Sequence, residues 1–150
     1  NGELDGINPK VTVLMLGTNN TDIAPLGHTA AEIAAADKKI VQMIRAKIPG
    51  TKVLLLAVFP RGARKDQQGV ITDSAITDAA RRTEIINAVN RELAKLDDGK
   101  NVRYLDINAS FLGQDGKIPF AIMPDQLHPN AAGYQLWADA MKPLLTEMMQ

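Results

Sequence analysis

Short apolar runs alternate with longer amphipathic segments along the chain. Residues 11–16 are aliphatic or β-branched and end at Gly17, a pattern typical of a strand buried on both faces of a parallel sheet. Residues 53–58 form a second apolar run after Lys52, and residues 102–106 follow the Asp98-Gly99 turn as a third candidate strand. The pattern therefore predicts three strands over these ranges.

Helical periodicity follows each predicted strand. Apolar positions recur at helical spacing from Thr29 to Pro49, over 78–96 and over 130–149, which predicts three helices. Thr29 has the spacing of a capping box with the glutamate that follows it. Residues 63–76 are polar and contain glycine, which predicts a loop with Ser74 as the cap of the next helix.

The alternation of strands and helices predicts an α/β fold, a three-layer α/β/α sandwich around a parallel sheet. A length of 150 residues fits one domain spanning 1–150. Ligands of such folds bind beyond the carboxyl ends of the strands. Asn19 follows the first predicted strand, and Asp125 and His128 lie after the third. We therefore expect these three side chains at one edge of the sheet.

Composition narrows the classes of partner. Lys plus Arg and Asp plus Glu both count 17, so the sequence predicts no binding to nucleic acid or to an anionic membrane surface. The absence of cysteine excludes disulfides and thiolate metal sites but leaves the cellular compartment open. His28 has no second ligand at metal spacing, so we expect no metal site and no cofactor.

The spacing of Asp125 and His128 suits acid–base chemistry. A carboxylate three residues before an imidazole can fix the tautomer of the ring, and an amide such as Asn19 can stabilise an oxyanion. The residues alone also allow a loop ion pair or a helix cap. For Arg61 and Arg64 a solvated loop position is favoured over contact with an acidic substrate group.

Three motifs together carry a resemblance to a known family. They are Gly-Thr-Asn-Asn at 17–20, Phe-Pro-Arg-Gly at 59–62 and Asp-x-x-His-Pro at 125–129. In this order the chain resembles the SGNH (GDSL) hydrolase superfamily and, within it, the catalytic subunits of platelet-activating-factor acetylhydrolase and their bacterial relatives. The resemblance implies a flavodoxin-like SGNH hydrolase fold.

The resemblance also implies roles for individual residues. His128 would be the general base, Asp125 its orienting carboxylate and Asn19 a donor of the oxyanion hole, while Gly17 and Asn20 would contact substrate. The implied activity is hydrolysis of short acyl or acetyl esters of small molecules or carbohydrates.

One part of the family pattern has no match. The family nucleophile lies in an N-terminal Gly-Asp-Ser block, whereas the serines of this chain are Ser74 and Ser110. Neither lies in the strand-to-helix turn that a serine nucleophile needs. The resemblance therefore implies that residues 1–150 correspond to the C-terminal two-thirds of a family domain, with the N-terminal strands and the nucleophile outside them.

If the N-terminal strands lie outside residues 1–150, the first predicted strand has no partner on one side. The run from Val11 to Leu16 would be an interior strand whose neighbour is absent, and an open apolar edge is a template for another strand. We expect a homodimer or a complementing N-terminal segment there. Two functions stay open: an esterase completed by a serine outside this chain, and a catalytically inactive SGNH-like binding or interaction module.

Overall fold

The computed structural model of the protein describes residues 2, 4–22 and 27–150. Three strands alternate with three helices, as the hydrophobic pattern predicted. The elements are β1 Val11–Leu14, α1 Ala30–Lys47, β2 Lys52–Leu56, α2 Asp73–Ala94, β3 Val102–Leu105 and α3 Ala131–Met149. Short 3₁₀ turns, Thr18–Thr21 and Asn108–Phe111, follow β1 and β3.

The three strands form one parallel sheet in the order β1-β2-β3. Leu54 of the central strand pairs in register with Val13 on one side and with Arg103 on the other. Within the described part of the chain, β1 pairs only with β2, so its outer edge is open.

Helices cover both faces of this sheet. Val53 and Leu55 point toward α1 and α2 and pack in one cluster with the buried faces of those helices. Leu54 and Leu56 point the other way and pack with Met148 of α3. The predicted three-layer α/β/α sandwich is therefore confirmed. No helix in the described ranges is long and apolar enough to cross a membrane.

The strands of the structure are shorter than the strands predicted from the apolar runs. β2 ends at Leu56 although Val58 is only 1% exposed, because the backbone N–H and C=O of Val58 bond to the side chain of Asn90 at 2.8 and 3.0 Å. Burial thus continues after strand pairing has stopped. The prediction that the first strand is buried on both faces is wrong, since the side chain of Val13 is 38% exposed.

The second helix begins earlier than predicted. It starts at Asp73, so the last residues of the predicted 63–76 loop are helical. Its cap is Thr72, whose side-chain oxygen accepts from the Ala75 N–H at 3.2 Å, and not Ser74. The first turn of this helix faces solvent, with Ile76 53% exposed, so it carries no apolar periodicity that a sequence pattern could detect.

Candidate active site

Asp125 and His128 form a hydrogen-bonded pair in the loop before α3. One carboxylate oxygen, Oδ1, accepts the backbone N–H of Leu127 at 3.1 Å and that of His128 at 2.8 Å. The other, Oδ2, lies 2.7 Å from Nδ1 of the His128 ring. A proton on Nδ1 is held by this contact, which leaves Nε2 of a largely exposed ring free to accept a proton.

The carboxyl group of Asp125 has a low pKa. Partial burial acts to raise its pKa, but the hydrogen bonds from the His128 backbone and ring and from the Leu127 N–H outweigh it and lower the pKa to about 2. Arg64 adds a cation 3.6 Å away. Asp125 is therefore ionised at neutral pH, which is the charge state that orients an imidazole base.

Gln126 anchors the loop between these two residues. It is 4% exposed, has a φ of 61° and donates its side-chain amide to the carbonyls of Ile118 and Met123 at 3.2 and 3.1 Å. Its own carbonyl accepts the Gly62 N–H at 3.1 Å, which ties the loop to the segment after β2. No motif or residue spacing in the sequence predicts the role of Gln126.

Replacement of Gly62 should loosen this anchor. A Cβ at position 62 would lie 2.0 Å from Oε1 of Gln126, so Gly62→Ala must displace the buried Gln126 side chain. We expect a loss of about 1–3 kcal/mol in the free energy of unfolding, measured by urea denaturation. Ala63→Gly is the control, because it changes the neighbouring position without adding bulk. Gly69→Ala would be a poor control, because the φ of 80° at Gly69 strains any residue with a Cβ. A fully stable Gly62→Ala variant would contradict the proposed anchor.

The Asn19 turn directly follows β1. Gly17 begins it with a φ of 115°, and a Cβ there would lie 2.9 Å from Ile33 of α1, so only glycine fits. The Asn20 N–H bonds back to the Gly17 carbonyl at 3.0 Å, and the Asn20 amide nitrogen lies 3.5 Å from Nδ1 of His28. The side chain of Asn19 is free of hydrogen bonds to other described residues, which leaves its N–H groups available.

A buried arginine holds this turn against α2. Arg82 is 7% exposed and donates to the Thr21 hydroxyl at 3.2 Å and to Asp22 at 2.9 Å. Asp78, one turn earlier on α2, accepts from Arg82 at 2.6 Å. This charge-assisted network fixes the turn that carries Asn19. Arg82 therefore supports the Asn19 turn from α2, and no motif in the sequence predicts this role.

The two groups of residues lie at the same edge of the sheet. β1 and β2 run parallel, the Asn19 turn leaves the carboxyl end of β1, and Phe59 to Gly62 leave the carboxyl end of β2. Gly62 in turn bonds to the loop of Asp125 and His128. Gly17, Asn19 and Asn20 also line a cavity of about 500 Å³ between α1 and the segment after β1. This edge is where ligands of open α/β sheets bind.

The remaining candidates take ordinary positions. Ser74 lies in the first turn of α2 with its hydroxyl 2.9 Å from that of Thr72, and Ser110 lies in the 3₁₀ turn after β3. Neither lies in a tight turn that leads directly from a strand into a helix, because Ser74 is already inside α2 and the turn of Ser110 ends well before α3 begins at Ala131. No group of three or more His, Cys, Asp or Glu side chains suited to a metal ion occurs among the described residues.

Comparison with known proteins identifies relatives over the whole chain. Residues 1–136 match the model of the GDSL-like Lipase/Acylhydrolase family. The platelet-activating factor acetylhydrolase IB subunit alpha2 of Gallus gallus is 34% identical over 150 residues, which are all of this chain and 56% of the relative. The chain thus spans about half the length of the curated relatives it matches.

Solved structures share the fold. A GDSL-like lipase from Bacteroides thetaiotaomicron superposes with a TM-score of 0.63 and 18% identity, covering 93% of this chain and 63% of that one. A carbohydrate esterase family 3 protein from Talaromyces cellulolyticus gives a TM-score of 0.59 and 20% identity, covering 94% and 59%. In both, the similarity extends over almost every element described above.

Proposed function

Because the chain belongs to the GDSL-like lipase/acylhydrolase family, whose members hydrolyse acyl esters, we propose that it supplies most of the active site of a carboxylic ester hydrolase. In this proposal His128 is the general base, Asp125 orients it and Asn19 stabilises the oxyanion. The observation that carries it is the 2.7 Å contact between Nδ1 of His128 and Oδ2 of Asp125, at the sheet edge that also bears Asn19.

The proposed reaction has two stages, formation of an acyl-enzyme and its hydrolysis, and the same groups act in both. Nε2 of His128 takes the proton of a serine hydroxyl while the serine oxygen attacks the acyl carbonyl carbon. The carbonyl oxygen becomes an oxyanion, to which the Asn19 amide donates. The tetrahedral intermediate expels the alcohol, which receives the proton from His128. Water then attacks the acyl-enzyme by the same steps and releases the acid.

The serine of this mechanism is proposed to come from outside residues 1–150. Ser74 in the first turn of α2 and Ser110 in the 3₁₀ turn after β3 are both exposed and lack the strand-to-helix setting of a nucleophile. The open outer edge of β1 is next to the Asn19 turn, and we propose that the serine-bearing polypeptide pairs there. We propose that it is a complementing N-terminal segment, because a second copy of residues 1–150 in a homodimer would cover the edge but hold the same two serines.

The proposed substrates are short acyl or acetyl esters of small molecules or carbohydrates. The relatives named for acetylhydrolase activity support the acetyl group, and the carbohydrate esterase with the same fold supports a sugar as one class of alcohol. The zero net charge of the chain gives no preference for a polyanionic substrate.

The isolated chain should be inactive. Since no serine in it occupies the nucleophile position, we expect residues 1–150 to hydrolyse p-nitrophenyl acetate no faster than their His128→Ala variant. The assay compares initial rates at equal protein concentration. Turnover that disappears in Ser74→Ala or in Ser110→Ala would contradict an external nucleophile.

The test with a supplied serine uses what we call the serine-completed protein. It is residues 1–150 joined behind an N-terminal Gly-Asp-Ser segment taken from a family member. We expect it to hydrolyse p-nitrophenyl acetate, and its variant with the supplied serine changed to Ala to be inactive. A folded serine-completed protein without turnover would favour the inactive binding module instead.

A further inference from the structure

Asp37 is a buried carboxylate without a partner. It lies on the inward face of α1 and is 3% exposed, and its Oδ2 atom has no hydrogen-bond partner within the described part of the chain. Buried polar atoms are almost always paired, and an unpaired charge is among the costliest groups to bury. Burial raises the pKa of this carboxyl to about 6. A donor for Asp37 is therefore expected to come from another molecule or segment.

The space beside Asp37 is large enough to admit such a donor. Asp37 lines the cavity of about 500 Å³ between α1 and the segment after β1. A Cβ at Gly17 would lie 3.8 Å from Oδ2 of Asp37, so the carboxylate lies beside the turn that follows β1. Ile33 and Ile40 on the same helix, with Met15 and Leu16 after β1, form the apolar part of the wall.

The charge of the cavity selects the kind of donor. Asp37 and Glu32 contribute two carboxylates, and the described lining contains neither Lys nor Arg. His28 is the other titratable group in this lining. An acidic wall is complementary to a cationic side chain, and a guanidinium satisfies a buried carboxylate with the most donors.

The open edge of β1 selects the kind of molecule. The outer N–H and C=O groups of this strand are unpaired within the described residues, and an extended polypeptide can add to such an edge by main-chain hydrogen bonds. The side chains of an added strand alternate between the two faces of the sheet, so every second residue would point to the α1 side, where Asp37 lies.

We propose that an extended polypeptide segment pairs with the outer edge of β1 and places a basic side chain in the adjoining cavity, between α1 and the segment after β1, against Asp37. The inference rests on the proposed function, since this segment is the one proposed to carry the serine. It assigns Asp37 a positioning role: the ion pair sets the register of the added strand next to Asn19.

Tethered strands test this docking without any catalysis. A seven-residue strand of alternating Val and Thr is joined ahead of Asn1 through a flexible Gly/Ser linker, which gives it a high effective concentration at the edge. Arg is placed at each position in turn, and Met, of similar length but uncharged, is the matched control. Amide exchange of Val13 reports pairing, and the ¹³C shift of the Asp37 carboxyl reports its titration.

The expected result is specific for position and charge. Arg at one position, or at two positions two residues apart, should bring the pKa of Asp37 from about 6 to below its ordinary value and slow Val13 exchange at least tenfold more than Met does. Asp37→Asn should abolish the difference between Arg and Met.

Two results would overturn the proposal. One is that no tethered strand slows exchange at Val13. The other is that strands dock but Arg and Met leave the titration of Asp37 identical at every position. Because neither readout involves turnover, docking can succeed while the esterase assay fails, and the esterase assay can succeed while docking through Asp37 fails.

Discussion

Loss of the His128 imidazole should abolish nearly all turnover of the serine-completed protein. We expect His128→Ala to lower kcat for p-nitrophenyl acetate by about 10⁴-fold or more, because the serine proton then has no acceptor. Asn19→Ala should lower kcat by about 10²–10³-fold, the usual cost of one oxyanion-hole donor. KM should change little in both variants, since each group acts on the transition state and not on the bound ester.

A matched variant separates these effects from unfolding. Asn20→Ala keeps the proposed oxyanion donor and changes the neighbouring amide, whose nitrogen lies 3.5 Å from the His28 ring. Since the family resemblance implies that Asn20 contacts substrate, its loss should raise KM more than it lowers kcat. We expect its kcat to fall by less than tenfold. An Asn19→Ala variant as active as Asn20→Ala would remove Asn19 from the proposed mechanism, and an active His128→Ala variant would remove the base.

Removal of the Asp37 charge should stabilise the isolated chain. Its folded-state pKa of about 6 lies above the ordinary 3.8, so folding favours the protonated form and burial of the ionised form costs about 3 kcal/mol. Asp37→Asn keeps the shape and removes the charge. We expect it to raise the free energy of unfolding at pH 7.5 by about 1–3 kcal/mol, since a buried amide without a partner still has some cost.

The pH dependence identifies the cause of that gain. The unsubstituted chain should lose stability as the pH rises from about 4 to about 6 and show no further loss from Asp37 above that range. In Asp37→Asn this part of the slope should vanish, so the two proteins should converge below pH 4. Glu32 and His28 line the same cavity and are present in both proteins, so the difference in stability between the two proteins reports the Asp37 carboxylate.

Asp139→Asn on an exposed turn of α3 controls for net charge. It removes one carboxylate that accepts a 3.0 Å hydrogen bond from Gln135 at the surface. We expect no gain in its free energy of unfolding, which urea denaturation at pH 7.5 measures. Equal stabilisation by both substitutions, or a lower stability of Asp37→Asn, would contradict an unpaired buried charge at Asp37.

The fold followed from the sequence because element type depends on strong periodic signals. The alternation of apolar runs and amphipathic segments predicted all three strands, all three helices and the layers correctly. The ends were less accurate for a physical reason. Residues after β2 such as Val58 stay buried although their backbone partners change, so an apolar run is longer than the strand within it.

The residues of the candidate site also fall into two groups, those that the sequence predicted and those that it did not. Asp125, His128 and Asn19 were predicted from their spacing, their positions and the family resemblance, and the structure brings Asp125 and His128 into contact. Arg82 and Gln126 were not, because their partners are distant in the sequence or are backbone carbonyls. Asp37 did carry a signal. It lies four residues after Ile33 and four before Val41, on the buried stripe of α1, where a carboxylate is exceptional.

The central claim is that this chain carries the base and oxyanion donor for a serine supplied at the edge of β1. A fluorophosphonate probe tests it most directly, because the serine oxygen bonds to phosphorus and fluoride leaves only where a base activates the hydroxyl. After treatment of the serine-completed protein, mass spectrometry should place the label on the supplied serine and find none in the His128→Ala variant. Label on Ser74 or Ser110, or label that persists without His128, would contradict the account.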